Sequence, residues 1–245
     1  MSRYSWDRRL ERAAELEKAY PAAAEALRFY QAIARFQKDL KTSSPQPELP
    51  LEHMPALLAL IRKIGPPPLA QAAEELAGAS AEWPNLLNDA DLEPTKVFFA
   101  RVLLQPYAAR AALDTEIATD IATGVTRTTC PVCGERPVAA VLRPEGEGGK
   151  RSLICSLCFT EWEFRRMLCP NCGEEDYQKL PVYTAAEFQH IRVEACDACR
   201  HYIKAVDLTI NGHAVPEVDE LAAIALDVWA AERDYAKVMT NILGL

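Results

Sequence analysis

All eight cysteines of this chain fall in four C-x-x-C pairs: Cys130/Cys133, Cys155/Cys158, Cys169/Cys172 and Cys196/Cys199. Two residues between thiolates let both sulfurs of a tight turn point at one ion, and two such turns complete a tetrahedral four-sulfur shell. The expected chemistry is two closed metal sites packed into about seventy residues. Zinc would make each a redox-silent structural site, whereas a single iron would make it a one-electron centre.

The pairs form an internal repeat. Cys130-Pro131-Val132-Cys133-Gly134 matches Cys169-Pro170-Asn171-Cys172-Gly173, and each is followed by a plainer C-x-x-C. The period is about forty residues. A glycine after the second cysteine supplies the positive φ that closes a metal knuckle, and nearby amides can donate to the sulfurs. Knuckle, hairpin, knuckle is the order of a zinc ribbon or rubredoxin-like unit. The simplest grouping is sequential: Cys130, Cys133, Cys155 and Cys158, then Cys169, Cys172, Cys196 and Cys199. A cross-brace joining the first pair with the third and the second with the fourth stays open, because spacing allows it.

The elements that must carry these knuckles are of two kinds. Residues 1–125 hold no cysteine and read as helical, with apolar residues at helical spacing over 4–20, 22–40, 51–64, 68–77 and 94–122. Pro21 suits a first helical turn, and Pro66-Pro67-Pro68 separates two helices. Pro106 is expected to interrupt the last of them, because proline removes a ladder bond. A polar, proline-bearing linker covers 42–50. The cysteine-rich part carries short β-like runs over 138–142, 150–154, 160–164, 191–194 and 202–210, with a hairpin turn at 145–149. One amphipathic helix is expected over 218–238, with Asp219 and Glu220 favouring its N-terminal dipole. The reading is α+β: a helical domain (1–125), two tandem rubredoxin-like or zinc-ribbon units (126–167 and 168–214), and a C-terminal helix (215–245).

Bulk properties narrow the function. The 245 residues are 49% hydrophobic and 25% charged, as in soluble globular proteins. A net charge of −8 argues against a nucleic-acid partner, which many C-x-x-C ribbons have. No apolar run has the length to span a bilayer, so stable membrane insertion is not expected. The charged first ten residues lack a secretory signal's apolar core, which points to the cytoplasm, where clustered thiols stay available to metal. A homo-oligomer stays open.

Other residues read as structural. Trp162 is expected to pack over its knuckle. His201, two residues past Cys199, reads as a surface histidine more than as a group supporting the metal shell. Lys150-Arg151 and Arg165-Arg166 read as solvated bases that an acidic partner could meet. No P-loop, G-x-S-x-G or H-E-x-x-H motif appears, and no thioredoxin-like context surrounds the C-x-x-C pairs.

Several runs resemble the FdhE family of formate dehydrogenase accessory proteins. They are T-C-P-V-C-G-E-R-P-V (129–138), L-I-C-S-L-C-F-T-E-W (153–162), C-P-N-C-G, E-A-C-D-A-C-x-x-Y-x-K (194–204) and V-D-E-L-A-A-I-A-L-D (218–227). The helical part is similar only in general character. The resemblance implies a cytoplasmic, non-enzymatic maturation factor that binds the catalytic subunit of formate dehydrogenase in a redox-sensitive way. It implies two metal ions held by all eight cysteines, rubredoxin-type iron before zinc, and no catalytic residues. The alternatives from the residues alone are a rubredoxin-like electron carrier and a zinc-ribbon interaction module.

Overall fold

The computed structural model describes residues 5–40, 50–86, 93–113, 115, 126–146 and 148–245. The expected linker over 42–50, except Pro50, and the expected continuation of the fifth helix over 116–122 lie outside them. The first part is helical: α1 (Trp6–Ala19), α2 (Ala24–Asp39), α3 (Met54–Ile64), α4 (Pro67–Gly78) and α5 (Pro94–Leu113). Ser5 caps α1 by accepting from the Arg8 amide, and Pro21 opens the 3-10 turn Pro21–Ala23 that leads into α2. The inward stripes of these helices share one core, including Leu16, Leu27, Ile33, Leu57, Ile61 and Phe99. Val218 and Leu221 from the far end of the chain join it.

Pro106 does not break its helix; α5 is assigned continuously through it. Proline leaves the Val102 carbonyl, four residues back, without its usual intrahelical donor. Gln37 of α2 fills the gap, donating from Nε2 to Val102 O at 2.9 Å and to Gln105 Oε1 at 3.0 Å. Gln37→Leu is therefore expected to lower the unfolding free energy by about 1–3 kcal/mol, because it strands a buried acceptor. Urea denaturation of both proteins would show it, and equal midpoints would overturn this account.

The cysteine-rich part is one seven-stranded sheet: β1 (Pro137–Glu145), β2 (Gly148–Cys155), β3 (Glu161–Glu163), β4 (Val182–Thr184), β5 (Ile191–Cys196), β6 (His201–Asp207) and β7 (Ala236–Lys237). The strand order is β3-β2-β1-β6-β5-β4, with β7 beside β6. Within each repeat the strands are antiparallel. The repeats join through parallel pairing of β1 and β6, with Ala140 opposite Ala205 and Leu142 opposite Asp207. In repeat order β6 corresponds to β3, so the first strand of one ribbon lies against the last strand of the other. The short β3 and β4 close the two edges, which limits open backbone for unwanted pairing.

The helix expected over 218–238 is divided. It becomes α6 (Pro216–Ala222), α7 (Ile224–Ala231) and then β7. Ala223 lies outside helical geometry at φ −93° and ψ 42°. The fully buried Lys204 of β6 occupies the break, donating to Glu220 O at 2.7 Å and Ala223 O at 3.3 Å. A side-chain ammonium thus supplies hydrogen bonds at the discontinuity. α6 packs against α1, α2, β1 and β6, tying the two parts of the chain together.

Candidate metal centres

The strand registers bring the cysteine pairs together. Cys155 ends β2 and lies opposite Pro137, where β1 leaves the first knuckle. Cys196 ends β5, whose neighbours Ala195 and Asp197 donate to Pro181 O and Lys179 O on the strand side of the third knuckle. The result is the sequential grouping: Cys130, Cys133, Cys155 and Cys158 in one cluster, and Cys169, Cys172, Cys196 and Cys199 in the other. Within each, all sulfurs lie within 4.8 Å of one another. The cross-brace is not formed.

Closest sulfur separations are 3.5 Å (Cys130–Cys158) and 3.3 Å (Cys133–Cys155) in the first cluster, and 3.7 Å for both Cys169–Cys199 and Cys172–Cys196 in the second. A tetrahedral ion with metal–sulfur bonds of about 2.3 Å needs sulfurs about 3.8 Å apart. The donor set therefore fits one thiophilic ion per cluster, zinc or iron, with small outward adjustments in the first.

The knuckles share a backbone geometry. Val132 N and Asn171 N each donate to the preceding cysteine sulfur at 3.4 Å, as does Leu157 N to Cys155 Sγ. Gly134 N and Gly173 N return to Cys130 O and Cys169 O. Gly134 (φ 79°) and Gly173 (φ 77°) take the expected left-handed turn. The plainer knuckles make the same turn without glycine, at Phe159 (φ 57°) and Arg200 (φ 57°). A bulky residue there carries strain, and both side chains have compensating contacts. Arg9 sits 3.7 Å over the Phe159 ring, and Arg200 sits 4.0 Å over Tyr235 while also pairing with Asp197.

Each set of four thiols ionises as a group when no cation is bound. Hydrogen bonds from Cys133, Cys155 and Cys158 hold the Cys130 thiol well down, while the same kind of neighbours push Cys155 far up. In the second cluster burial raises Cys196. Burial pushes Cys199 the same way, but hydrogen bonds from Asn171, Cys172 and the His201 amide outweigh it and bring Cys199 to about 7. A divalent cation resolves this by accepting all four sulfurs as thiolates.

Around the clusters, the expectations for Trp162 and Arg165 hold, and those for His201 and Arg151 do not. Trp162 is buried in the apolar cluster of Cys130, Cys155 and Cys158, with its indole N–H donating to Arg127 O at 2.8 Å. His201 is half-buried, and its Nδ1 lies 2.7 Å from Cys199 O, closer to the shell than a surface reading implies. Arg151 departs from the solvated reading: it is buried and bonds Glu194 Oε2 and Arg165 O, each at 2.9 Å. Arg165 is exposed and pairs with Glu175.

The sequence reading missed a buried charge network between β6, β7 and the C-terminal helices. Lys204, Lys237, Glu220 and Asp227 form a buried ion network, with Lys204 Nζ 3.0 Å from Glu220 Oε1 and 2.5 Å from Asp227 Oδ2. Tyr202 Oη donates to Asp227 at 2.6 Å, and Asn241 to Glu220 at 3.1 Å. Burial would raise the Glu220 carboxyl, but Lys204 and Lys237 outweigh it and bring it to about 2. A second network joins Arg12 and His190 to Asp219, which also accepts from the Val215 amide. The signal was present: Glu220 and Asp227, seven residues apart, fall on one face of the helix expected over 218–238, among its apolar residues.

With this geometry in view, the chain can be compared with known proteins. The profile of the FdhE central domain matches residues 129–166, and that of the FdhE C-terminal domain matches residues 166–243. A protein FdhE homolog of Aquifex aeolicus is 39% identical over 116 residues, which are 47% of this chain and 41% of that relative. One of Glaesserella parasuis is 29% identical over 203 residues, 76% of this chain and 63% of the relative. The chain thus spans well under two thirds of the Aquifex relative's length. The crystal structure of the FdhE protein from Pseudomonas aeruginosa matches with a TM-score of 0.75 and 28% identity, over 99% of this chain and 96% of that one. The likeness therefore runs through the helices as well as the sheet, and joins two domain profiles that meet at residue 166. On these grounds residues 129–243 match the central and C-terminal domains of the FdhE family, and the whole chain shares the fold of an FdhE protein.

Proposed function

We propose that this chain is an accessory factor in the maturation of formate dehydrogenase, and that it works by binding the catalytic subunit rather than by catalysing a reaction. Each four-cysteine cluster holds one metal ion, iron of the rubredoxin type or zinc. The observation that carries this reading is the pair of complete four-sulfur clusters in one sheet, built from the motifs the family shares. Free thiols in this arrangement suit a reducing compartment, and we place the chain in the cytoplasm. Its acidic balance favours a protein client over nucleic acid.

The chain's own residues prepare the sites. Eight sulfurs supply the charge that a cation neutralises, knuckle amides stabilise the thiolates, and the strands fix their spacing. Bound iron would add a one-electron couple; bound zinc would not. The test is anaerobic co-purification of the full chain with a formate dehydrogenase catalytic subunit, together with metal analysis. A complex that co-elutes on size exclusion, from a chain carrying two ions, is the expected result. Failure to form a complex under both reducing and oxidising conditions would overturn the client reading, and absence of metal would overturn the reading of the sites.

A further inference from the structure

The two clusters are alike in chemistry and differ in housing. In the first, Cys130, Cys155 and Cys158 are buried within an apolar cluster that includes Leu153, Trp162, Phe164 and Leu168, and only Cys133 is exposed. Ser156, inside its second knuckle, is held from the helical part: Arg101 Nη2 donates to its hydroxyl at 2.8 Å and Gln105 Nε2 to its carbonyl at 3.1 Å. Cys158 does line a cleft of about 230 Å³. There, Thr160 Oγ1 lies 3.0 Å from the Cys158 sulfur, and the adjacent Phe159 ring is clamped beneath Arg9.

The second cluster lacks this enclosure. Cys172 is exposed, as Cys133 is in the first, but here Cys199 is also only half-buried, and none of the four, not even the buried Cys169 and Cys196, belongs to a hydrophobic cluster of the described residues. Gly173, Asp197, Ala198 and Arg200 around it are exposed. On its other side Cys169 and Cys196 line a cavity of about 190 Å³. That cavity is bordered by the exposed apolar side chains of Met167 and Val182 and by Arg166 and Arg192. Opening the first site must break core packing and the hydrogen bonds that tie it to the helical part. Opening the second disturbs mainly solvated turns. The free energy of a local opening rises with the buried packing and hydrogen bonding that it disrupts.

We propose that the second four-cysteine site is the exchangeable centre of the pair, and that the first is a structural lock anchored in the core. The inference rests on the reading of both clusters as metal centres. Metal enters and leaves the folded chain at Cys169, Cys172, Cys196 and Cys199. In release, the ion passes to a competing ligand and the freed thiolates take up protons from solvent.

The test uses the full chain loaded with two zinc ions and a chromogenic chelator, pyridylazoresorcinol. Two phases of equal amplitude are expected, with the faster at least about ten-fold ahead, equivalent to about 1.4 kcal/mol of barrier. Cys172→Ser is expected to abolish or accelerate the fast phase and leave the slow one intact; Cys133→Ser is expected to act on the slow phase. Brief alkylation of the wild-type chain with iodoacetamide, read by peptide mass mapping, provides a check independent of variant folding. Cys172 and Cys199 are expected to label before any of the first four. A single release rate, or equal labelling of the two sets, would overturn the proposal while leaving two metal centres in place. A chain that binds no zinc or iron would overturn both readings.

Discussion

Cys155→Ser is expected to cost the chain one metal ion and most of its stability. Cys155 ends the β2 strand, held between β1 and β3, is fully buried, and bonds through its amide to Thr160 O. Its sulfur accepts from Leu157 N and Cys158 N, so it organises its own knuckle as well as closing the cluster. Structural four-ligand sites contribute on the order of 10 kcal/mol to folding. Whole domains have only about 5–15 kcal/mol in hand. The first site also anchors the apolar cluster that carries Trp162, Phe164 and Leu168, so its loss spreads into the sheet. The variant is expected to retain about one ion by mass spectrometry and to melt far below wild type, or to accumulate insoluble. Two retained ions and an unchanged melting temperature would show that this cysteine is not a ligand.

Lys204→Met comes next in size. Removing one buried charge leaves Glu220, fully buried, and the largely buried Asp227 facing Lys237 alone, and the Glu220 and Ala223 carbonyls at the helix break lose a donor. Breaking a buried ion pair from one side costs roughly 3–5 kcal/mol. The pH dependence has a definite sign. The Glu220 carboxyl is lowered from its ordinary value to about 2 in the folded chain. Its stabilising contribution is therefore fully present above the unfolded carboxyl range near pH 4.5 and is lost as pH falls through about 2. Wild type is expected to lose stability through that window, and Lys204→Met is expected to start from a lower plateau with a shallower acid loss. Urea midpoints between pH 7 and 2 would measure both. A variant as stable as wild type at neutral pH would show that the network is dispensable.

Much of the fold was legible because its signals are local. The five N-terminal helices follow from apolar residues at helical spacing and from prolines that open or separate them. The β1–β2 hairpin follows from short β-like runs around a glycine-rich turn. The two four-cysteine groups follow from knuckle spacing together with the repeat. Other features carried little local signal. β4 and β7 are three and two residues long, too short for a period to appear. The break at Ala223 falls within a run of good helix formers, and Pro106 lies in a helix it was expected to interrupt. In both cases a side chain remote in sequence, Lys204 or Gln37, supplies hydrogen bonds where the helix's own ladder is incomplete. The left-handed turns at Phe159 and Arg200 were likewise hidden, since neither residue announces a positive φ and their supports, Arg9 and Tyr235, lie far along the chain.

By itself the sequence determined that this protein carries eight thiols in four knuckles, arranged as two repeats after a helical part, because spacing and repetition are properties of the covalent chain. Only the tertiary structure decided that the repeats fuse through β1 and β6 and that four charges sit buried between β6, β7 and the C-terminal helices. It alone decided that three cysteines of the first cluster join an apolar core while those of the second do not. Strand neighbours, burial and exposure depend on which distant segments meet, and no local pattern encodes that meeting.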